Sequence, residues 1–505
     1  MQMSHATPPA DALHHRIRQA VQQQWHAAGL PGAPAVDAQA LQLGGDGGGY
    51  LSSFAVDVAA GASVAAATLA AAQLGSLRSG SALACASVQV PHALAETTGY
   101  FTLDGVQPDL WSPISGLYPC GAAVGRPGWV RIHANFDHHR DGALQLLGLP
   151  IGSLTQKQAV VQALNAWDAI DFETQAAERG LVVAAARTPQ EWAAHPQSAA
   201  VAAQPLVQIT RLDAGQPASP RAWPALQNEN AGPLSGIRVL DLTRILSGPV
   251  AARTLAAHGA DVLMINGPGL PNIGAIADLS RGKRSALLDL KSPTGKAQFA
   301  SLLDGAHVLL QGYHPGSLDA LGFGPPQAAQ LRPGIVYASL SAYGRRGPWA
   351  DRRGFDSLVQ TASGINWAEG QAFEGIAGGN AGAGSSGLRA LPMQILDYAA
   401  GFWLAFGIQA ALYRQATQGG SWHVQVSLAR TAQWLRELGQ RPVLPQGLGD
   451  TAEAGLAARV APYLETLTSG FGTLTAVRHS GVLGGVAMPW RYPSMPPGSA
   501  APQWP

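Results

Sequence analysis

Gly236-Ile237-Arg238-Val239-Leu240-Asp241-Leu242 is an apolar run of strand length; a helical stretch follows over 249–258, and Ala260-Asp261-Val262-Leu263-Met264-Ile265 is a second apolar run. The alternation continues with a strand over 285–290, a helix over 293–304, a strand over 307–311, a helix around 325–331 and a strand over 335–341. Short apolar runs separated by helices are the pattern of a parallel sheet with crossover helices. The spacing therefore predicts an α/β fold on a wound parallel sheet. Ligands on such sheets bind beyond the carboxyl ends of the strands. That places 243–249, 266–271 and 311–316 at the expected site.

Outward from this core the pattern is less regular. Residues 11–30 predict an amphipathic helix closed by Gly29-Leu30-Pro31-Gly32, and 34–48 a loop. A carboxylate, an Ala-rich helix and a short strand fill 51–95, and a Pro- and Gly-rich stretch at 108–127 marks a boundary. Trp129-Val130-Arg131-Ile132-His133 alternates as a strand does, helical segments run to about 179, and the polar, Pro-rich 204–233 has linker composition. The Gly- and Ser-rich run 373–388 fits either a lid or a flexible insertion, and the Pro-rich 489–505 an extended tail.

Composition narrows the function. The 505 residues are 47% hydrophobic and 12% charged, with a net charge of +1. A large core is easily built, and the absence of a basic stripe argues against a nucleic-acid partner. Cys85 and Cys120 make neither a disulfide framework nor a metal pattern, and residues 1–10 lack an apolar signal core, so a cytoplasmic location is expected. The apolar stretch 54–74 has spanning length, but Ala is weakly apolar and Asp57 is costly in a membrane. A buried helix with no membrane partner is expected.

Asp397 stands at the mouth of a long apolar helix, in Leu391-Pro392-Met393-Gln394-Ile395-Leu396-Asp397-Tyr398-Ala399-Ala400-Gly401. At a constant shift, Asp57-Val58-Ala59-Ala60-Gly61 repeats this pattern, with agreement at Leu51/Leu391, Ala65/Ala405, Gly80/Gly420 and Ser87/Ser427. An aspartate in that place is commonly an N-cap. The same place also suits a nucleophile, since helix amides favour the charged carboxylate and carboxylates form covalent intermediates. Small residues in the first turn leave room for a bulky thioester. Other candidates are weaker. His133, His138 and His139 lack metal-ligand spacing, so no metal is expected. There is no Gly-x-Ser-x-Gly elbow, the Gly-Lys pairs at 282–283 and 295–296 lack phosphate-loop glycines, and Asp241 has a structural position.

Several motifs together resemble the family III CoA-transferases (the carnitine CoA-transferase and formyl-CoA transferase family). They run from Leu234-Ser235-Gly236-Ile237-Arg238-Val239-Leu240-Asp241-Leu242-Thr243-Arg244 and Ser247-Gly248-Pro249 through His258-Gly259-Ala260-Asp261-Val262 and Arg281-Gly282-Lys283-Arg284-Ser285 to Gly312-Tyr313-His314-Pro315-Gly316. Gly354-Phe355-Asp356-Ser357-Leu358, Asp397 and Val424-Gln425-Val426-Ser427-Leu428 complete a collinear series. The N-terminal part, with Gly116-Leu117-Tyr118-Pro119 and Thr188-Pro189-Gln190-Glu191-Trp192, resembles the half that follows in typical members, so the halves look permuted.

The resemblance implies a Rossmann-like CoA-binding domain at 234–436. Around it are expected a first Asp-helix-strand unit at 1–110 belonging to a large domain, a small α+β domain at 111–215, a linker at 216–233 and an extended tail at 437–505. It implies CoA transfer from an acyl-CoA to a small carboxylic acid through an aspartyl anhydride and an aspartyl-CoA thioester on Asp397, with Asp57 a vestige or a cap. The CoA thioester is substrate; no permanently bound cofactor is expected, and a homodimer is. CoA contacts are implied at Arg244, Ser247, 288–291 with Lys291, 312–314 with Tyr313, and 353–355 with Arg353 and Phe355. Two departures stand out: Asn266-Gly267 replaces the usual basic residue, and Arg244 and Leu246 replace the usual His or Gln. An α-methylacyl-CoA racemase is one alternative. Phe355 stands where its proton-abstracting His would be, and Phe takes no proton. A non-catalytic CoA- or acyl-CoA-binding homologue is the other.

Overall fold

A computed structural model describes residues 10–47, 50–213, 219–220, 223, 226, 231–374, 387–441 and 453–505. Its strands in chain order are β1 Leu41–Gly44, β2 Ala86–Gln89, β3 Phe101–Leu103, β4 Gly116–Cys120, β5 Gly128–Ile132, β6 Val183–Ala185, β7 Gln208–Arg211 and β8 Arg238–Leu242. They continue as β9 Asp261–Asn266, β10 Lys283–Leu287, β11 Val308–Gln311, β12 Val336–Ser341, β13 Trp422–Ser427, β14 Leu464–Ser469, β15 Gly472–Val477 and β16 Gly481–Leu483.

The main sheet has the order β10-β9-β8-β11-β12-β13-β7. All its strands are parallel except β7, which runs antiparallel to β13 at one edge. Counted from β8, the six parallel strands follow the doubly wound order 3-2-1-4-5-6, so the chain reverses winding direction between β8 and β11. A crevice opens at that switch point because the two crossover helices leave to opposite faces. Strands covered on both sides must be apolar throughout. Every residue of β9 and β11 is buried, which is why these strands stand out as continuous apolar runs.

The repeat in the sequence is a repeat in the fold. The helix Val56–Ser79 carries Asp57 and links β1 to β2; the helix Ile395–Gln418 carries Asp397 and lies between β12 and β13. Both strand pairs are parallel: Ser87 pairs with Gln42 and its repeat counterpart Ser427 pairs with Ser341. An antiparallel strand flanks each pair: β16 beside β2, β7 beside β13. The two long helices pack against each other over Ala-rich faces, with Gln409 Nε2 donating to the Ala67 carbonyl at 2.9 Å. Small side chains permit that closeness. Both helices are long and apolar enough to cross a membrane, and both are enclosed by the rest of the protein.

Residues expected to form an extended tail from 437 instead include a helix, Glu453–Val460, and the strands β14, β15 and β16. β15 pairs with β3 and β16 with β2, so this stretch completes sheets begun near the N-terminus. Beyond β16 the chain does run extended along the β10 edge. The Ala500 N–H donates to the Ser285 carbonyl at 2.8 Å, and Trp504 Nε1 to the Leu302 carbonyl at 2.9 Å. The loop expected at 34–48 likewise contains β1. The Gly- and Ser-rich run falls largely on 375–386, outside the described residues.

The antiparallel sheet β4-β5-β6 and the helices Asp137–Leu146, Lys157–Leu164 and Ala169–Glu178 form a small α+β layer with its own core of Tyr118, Val130, Ile132, Leu144 and Phe172. This layer faces the carboxyl ends of the main sheet.

Candidate active site

A cleft of about 420 Å³ lies at the switch point. Its floor comes from the loop after β8, including Arg244, Ile245, Leu246 and Ser247, and from the loop after β11, including Gly312, Tyr313 and His314. Arg352, Arg353, Gly354, Phe355 and Asp397 form one side, and Phe136, His138, His139 and Val182 of the small layer form the other. The size suits a small-molecule site. One chain supplies both walls.

Of the candidate residues, Arg244, Ser247, Tyr313, Arg353, Phe355 and Asp397 all line this cleft. Lys291 does not: it is exposed in the turn before the helix Pro293–Asp304, with its backbone N–H on Asp289 Oδ1 at 2.9 Å. A lysine on the outer face of that turn remains in water, its four-carbon stem unanchored.

The loop after β8 is held from beneath. Asp241 Oδ1 accepts the Thr243 N–H at 3.0 Å and the Thr243 hydroxyl, while Lys283 Nζ lies 2.9 Å from Asp241 Oδ2 and donates to the Pro249 carbonyl at 3.0 Å. Both charges are fully buried, so the pair has structural rather than chemical work, as the position of Asp241 suggests. Within the loop Ile245 has φ +77°. A β-branched residue in the left-handed region is strained, and such strain concentrates at sites of function.

Asp397 lies in the first turn of its helix and is 7% exposed, the opening being onto the cleft. The expected helix cap is absent in this form. Instead, Asp356 takes the helix amides: its Oδ2 accepts the Asp397 N–H at 2.9 Å and its Oδ1 accepts Gln360 Nε2 at 2.5 Å. Burial pushes the Asp356 carboxyl up to about 6, opposed by the hydrogen bonds from Asp397, Gln360 and Leu396 and by the charge of Arg131. Burial and the neighbouring Asp356 carboxylate raise Asp397 well above the ordinary carboxylate range. The helix end therefore does not hold Asp397 ionised, contrary to the expectation from its position. The amides that would do so are occupied by a second acid, and like charges so close do not both ionise readily.

Asp57 is placed quite differently. It is 1% exposed, its Oδ1 accepts the Val58 N–H at 2.8 Å, and Arg441 Nη2 lies 2.7 Å away. Gly47 closes over it so tightly that any side chain there would collide with Asp57 Oδ2. No thioester can reach an acid so enclosed.

The charge in the cleft is mainly positive. Arg352 is engaged by Glu173 at 3.3 Å, but Arg353 makes no ion pair among the described residues. Arg244 stacks its guanidinium over Phe136 at 5.7 Å and donates Nη2 to the Pro271 carbonyl. Phe355 is caged by rings: His133 stacked at 4.0 Å, His139 edge-on at 6.2 Å and Phe136 at 6.3 Å. The wall formed by Phe136, His139 and Val182 went unrecognised in the sequence. It stands over 200 residues from Asp397 along the chain, and no local pattern marks it. Among the described residues no group of His, Cys, Asp or Glu is arranged to hold a metal ion.

Residues 234–440 match the model of CoA-transferase family III. An acyl-CoA transferase of Gibberella moniliformis is 30% identical over 311 residues, covering 59% of this chain and 53% of that protein. An acetyl-CoA:oxalate CoA-transferase of Acetobacter aceti is 32% identical over 209 residues, covering 39% of this chain and 51% of its own. A solved CAIB/BAIF family protein from Brucella suis is 25% identical, covers 48% of this chain and 65% of that one, and superposes with a TM-score of 0.36, too weak to bear on function. The chain spans about half the length of the curated relatives it matches. The similarity to CoA-transferase family III thus covers the main-sheet segment, residues 234–440.

Proposed function

We propose that the protein transfers CoA from an acyl-CoA to a small carboxylic acid, with Asp397 as the covalent nucleophile. The observation that carries this is the contrast between the two aspartates: Asp397 opens onto a cationic cleft at the switch point, whereas its repeat Asp57 is closed off by Arg441 and Gly47. In the first step an Asp397 oxygen attacks the thioester carbon, the C–S bond breaks and CoA leaves as thiolate. The thiolate then attacks the anhydride at the Asp397 carbonyl, releasing the acyl group as a carboxylate and leaving an aspartyl-CoA thioester. The acceptor carboxylate attacks that thioester and departs as the new acyl-CoA after the mirror-image exchange. Arg244 and Arg353 supply positive charge for an anionic substrate, and Ser247 and Tyr313 supply hydroxyls at the floor. The oxalate transferases among the relatives accord with a small carboxylic acid as acceptor.

Ionising Asp397 for attack requires its proton to leave, which the positive charge of Arg244 and Arg353 in the cleft favours. Phe355 occupies the racemase-type base position and takes no proton, which weighs against α-proton exchange. One experiment separates the alternatives. The protein is incubated with acetyl-CoA, trapped with hydroxylamine or borohydride, and Asp397 is read by mass spectrometry. A modified Asp397, absent in Asp397→Ala, is expected. Deuterium wash-in at the α-carbon of a branched acyl-CoA without labelling would point to racemisation, and neither signal to binding alone. A homodimer, expected from the family resemblance, and a cytoplasmic location, expected from the cysteine usage and the N-terminal composition, belong with this proposal.

A further inference from the structure

His139 belongs to no role assigned so far. It is 5% exposed, lies on the small-layer wall of the cleft, and neither ring nitrogen has a hydrogen-bond partner or contact with solvent. A buried polar atom without a partner destabilises the fold, and a native structure that keeps one has a use for it. The other histidines lining the cleft differ. His138 is exposed, and His314 is bonded through both nitrogens, to the Pro315 and Asp351 carbonyls at 3.0 and 2.7 Å. His133, just behind the wall, is stacked flat on Phe355.

Contacts tie His139 to the reacting acid. Its ring is 6.2 Å from that of Phe355; the next residue, Asp356, accepts the Asp397 N–H at 2.9 Å. On the floor Ile245 and Leu246 are apolar, and Ser247 Oγ is buried without a partner. Burial, with the charges of His138, Arg353 and Arg244, pushes the imidazole down to about 4. The ring is therefore neutral near pH 7, with one N–H donor and one acceptor nitrogen. Rotation about the Cβ–Cγ bond, which is broad and soft for histidine, is the movement that turns a nitrogen toward a bound substrate in this proposal.

We propose that His139 is a catalytic residue, donating a ring N–H to the atom that becomes negative when Asp397 and the thioester exchange. This rests on the nucleophilic role given to Asp397. In the exchange an Asp397 oxygen bonds to the acyl carbon, and the carbonyl oxygen carries the charge in the tetrahedral intermediate. The carbonyl then re-forms, the C–S bond breaks, and sulfur departs with the electron pair. His139 hydrogen-bonds first the oxygen and then the thiolate, and no proton changes owner. The small layer thus contributes chemistry to the reaction in addition to covering the cleft. A neutral donor fits the task better than a cation would, because it does not compete with Arg244 and Arg353 for the anionic parts of the substrate.

The test uses the full chain with His139→Phe and His139→Asn. Rates of Asp397 labelling from acetyl-CoA are measured in single turnover, CoA affinity by calorimetry, and melting temperature by circular dichroism. His139→Phe is expected to label ~100-fold more slowly, the usual effect of losing one such donor, with CoA affinity changed less than about 3-fold. Its melting temperature is expected to be unchanged or higher, because an unpartnered polar ring has become apolar. His139→Asn, which keeps an N–H donor, is expected to recover part of the rate. Labelling of His139→Phe at the wild-type rate overturns the proposal. So does a fall in melting temperature that His139→Asn repairs, or a loss of labelling matched by an equal loss of CoA affinity. Failure of the wild-type protein to label would instead remove the nucleophile assignment itself.

Discussion

Asp356→Asn is expected to move the acidic limb of the reaction to lower pH. Asp356 accepts the Asp397 N–H at 2.9 Å through Oδ2, and its carboxylate raises the neighbouring Asp397 carboxyl. At ~5 Å and an effective dielectric of ~20, two unit charges repel by about 3 kcal/mol, or roughly 2 pK units. Burial and this repulsion raise Asp397; removing the negative neighbour leaves only burial. Asparagine keeps an acceptor oxygen for the Asp397 N–H, so the helix start stays bonded. The single-turnover labelling rate of Asp397 from acetyl-CoA is measured across pH 4 to 9. The variant's limb is expected ~1–2 units below that of the wild type, with faster labelling on the acidic side. A limb that stays in place, or moves upward, refutes the contribution assigned to Asp356, beside burial, in holding the proton on Asp397.

Asp397→Asn is expected to melt higher than the wild type at pH 7.5, with the gap closing toward pH 4, and to be inactive. The sign follows from the direction of the shifts: a folded-state value above the unfolded one gives stability that is complete below the unfolded pKa and lost as pH rises through the folded one. Asp397, raised by burial and by the Asp356 carboxylate, carries such a loss, and asparagine at that position removes it. Melting curves of both proteins across pH test this; a gap that widens on acidification contradicts it. Arg441→Ala is expected to cost ~2–3 kcal/mol by leaving Asp57 buried without its partner, less than for a fully buried pair because Arg441 is part-exposed. Asp57→Asn in that background is expected to restore stability, and labelling of Asp397 in the folded fraction to be unaffected by either change.

The main sheet was legible because its central strands are covered on both faces, so burial wrote itself into 236–242, 260–265 and 307–311 as unbroken apolar runs. β10 starts two residues before the expected strand does and ends three residues before it does: Lys283 and Arg284 look like strand ends, yet Lys283 pairs with Asp241 at 2.9 Å and Arg284 with Asp261 at 3.3 Å within the fold. β14 has no fully buried residue, and β15 finds its partner β3 across more than 350 positions, so neither periodicity nor local propensity marks them. Asp397 was legible as a site residue from its place at a helix mouth and the resemblance around it. Its ionisation was not, because that depends on Asp356, which lies 41 residues away in sequence and meets it only after folding. The histidine run suggested a metal question. Its bearing on the cleft comes from how β5 and the helix Asp137–Leu146 aim it, which is a tertiary fact.

Both walls of the cleft lie on a single polypeptide, the sheet loops at 242–247 opposite the small-layer residues 136–139. Dilution cannot separate them, so the encounter of the two halves is set by chain connectivity instead of protein concentration. Specific activity of this chain should then stay level down to nanomolar enzyme, where a cleft shared between two separate polypeptides would empty by mass action.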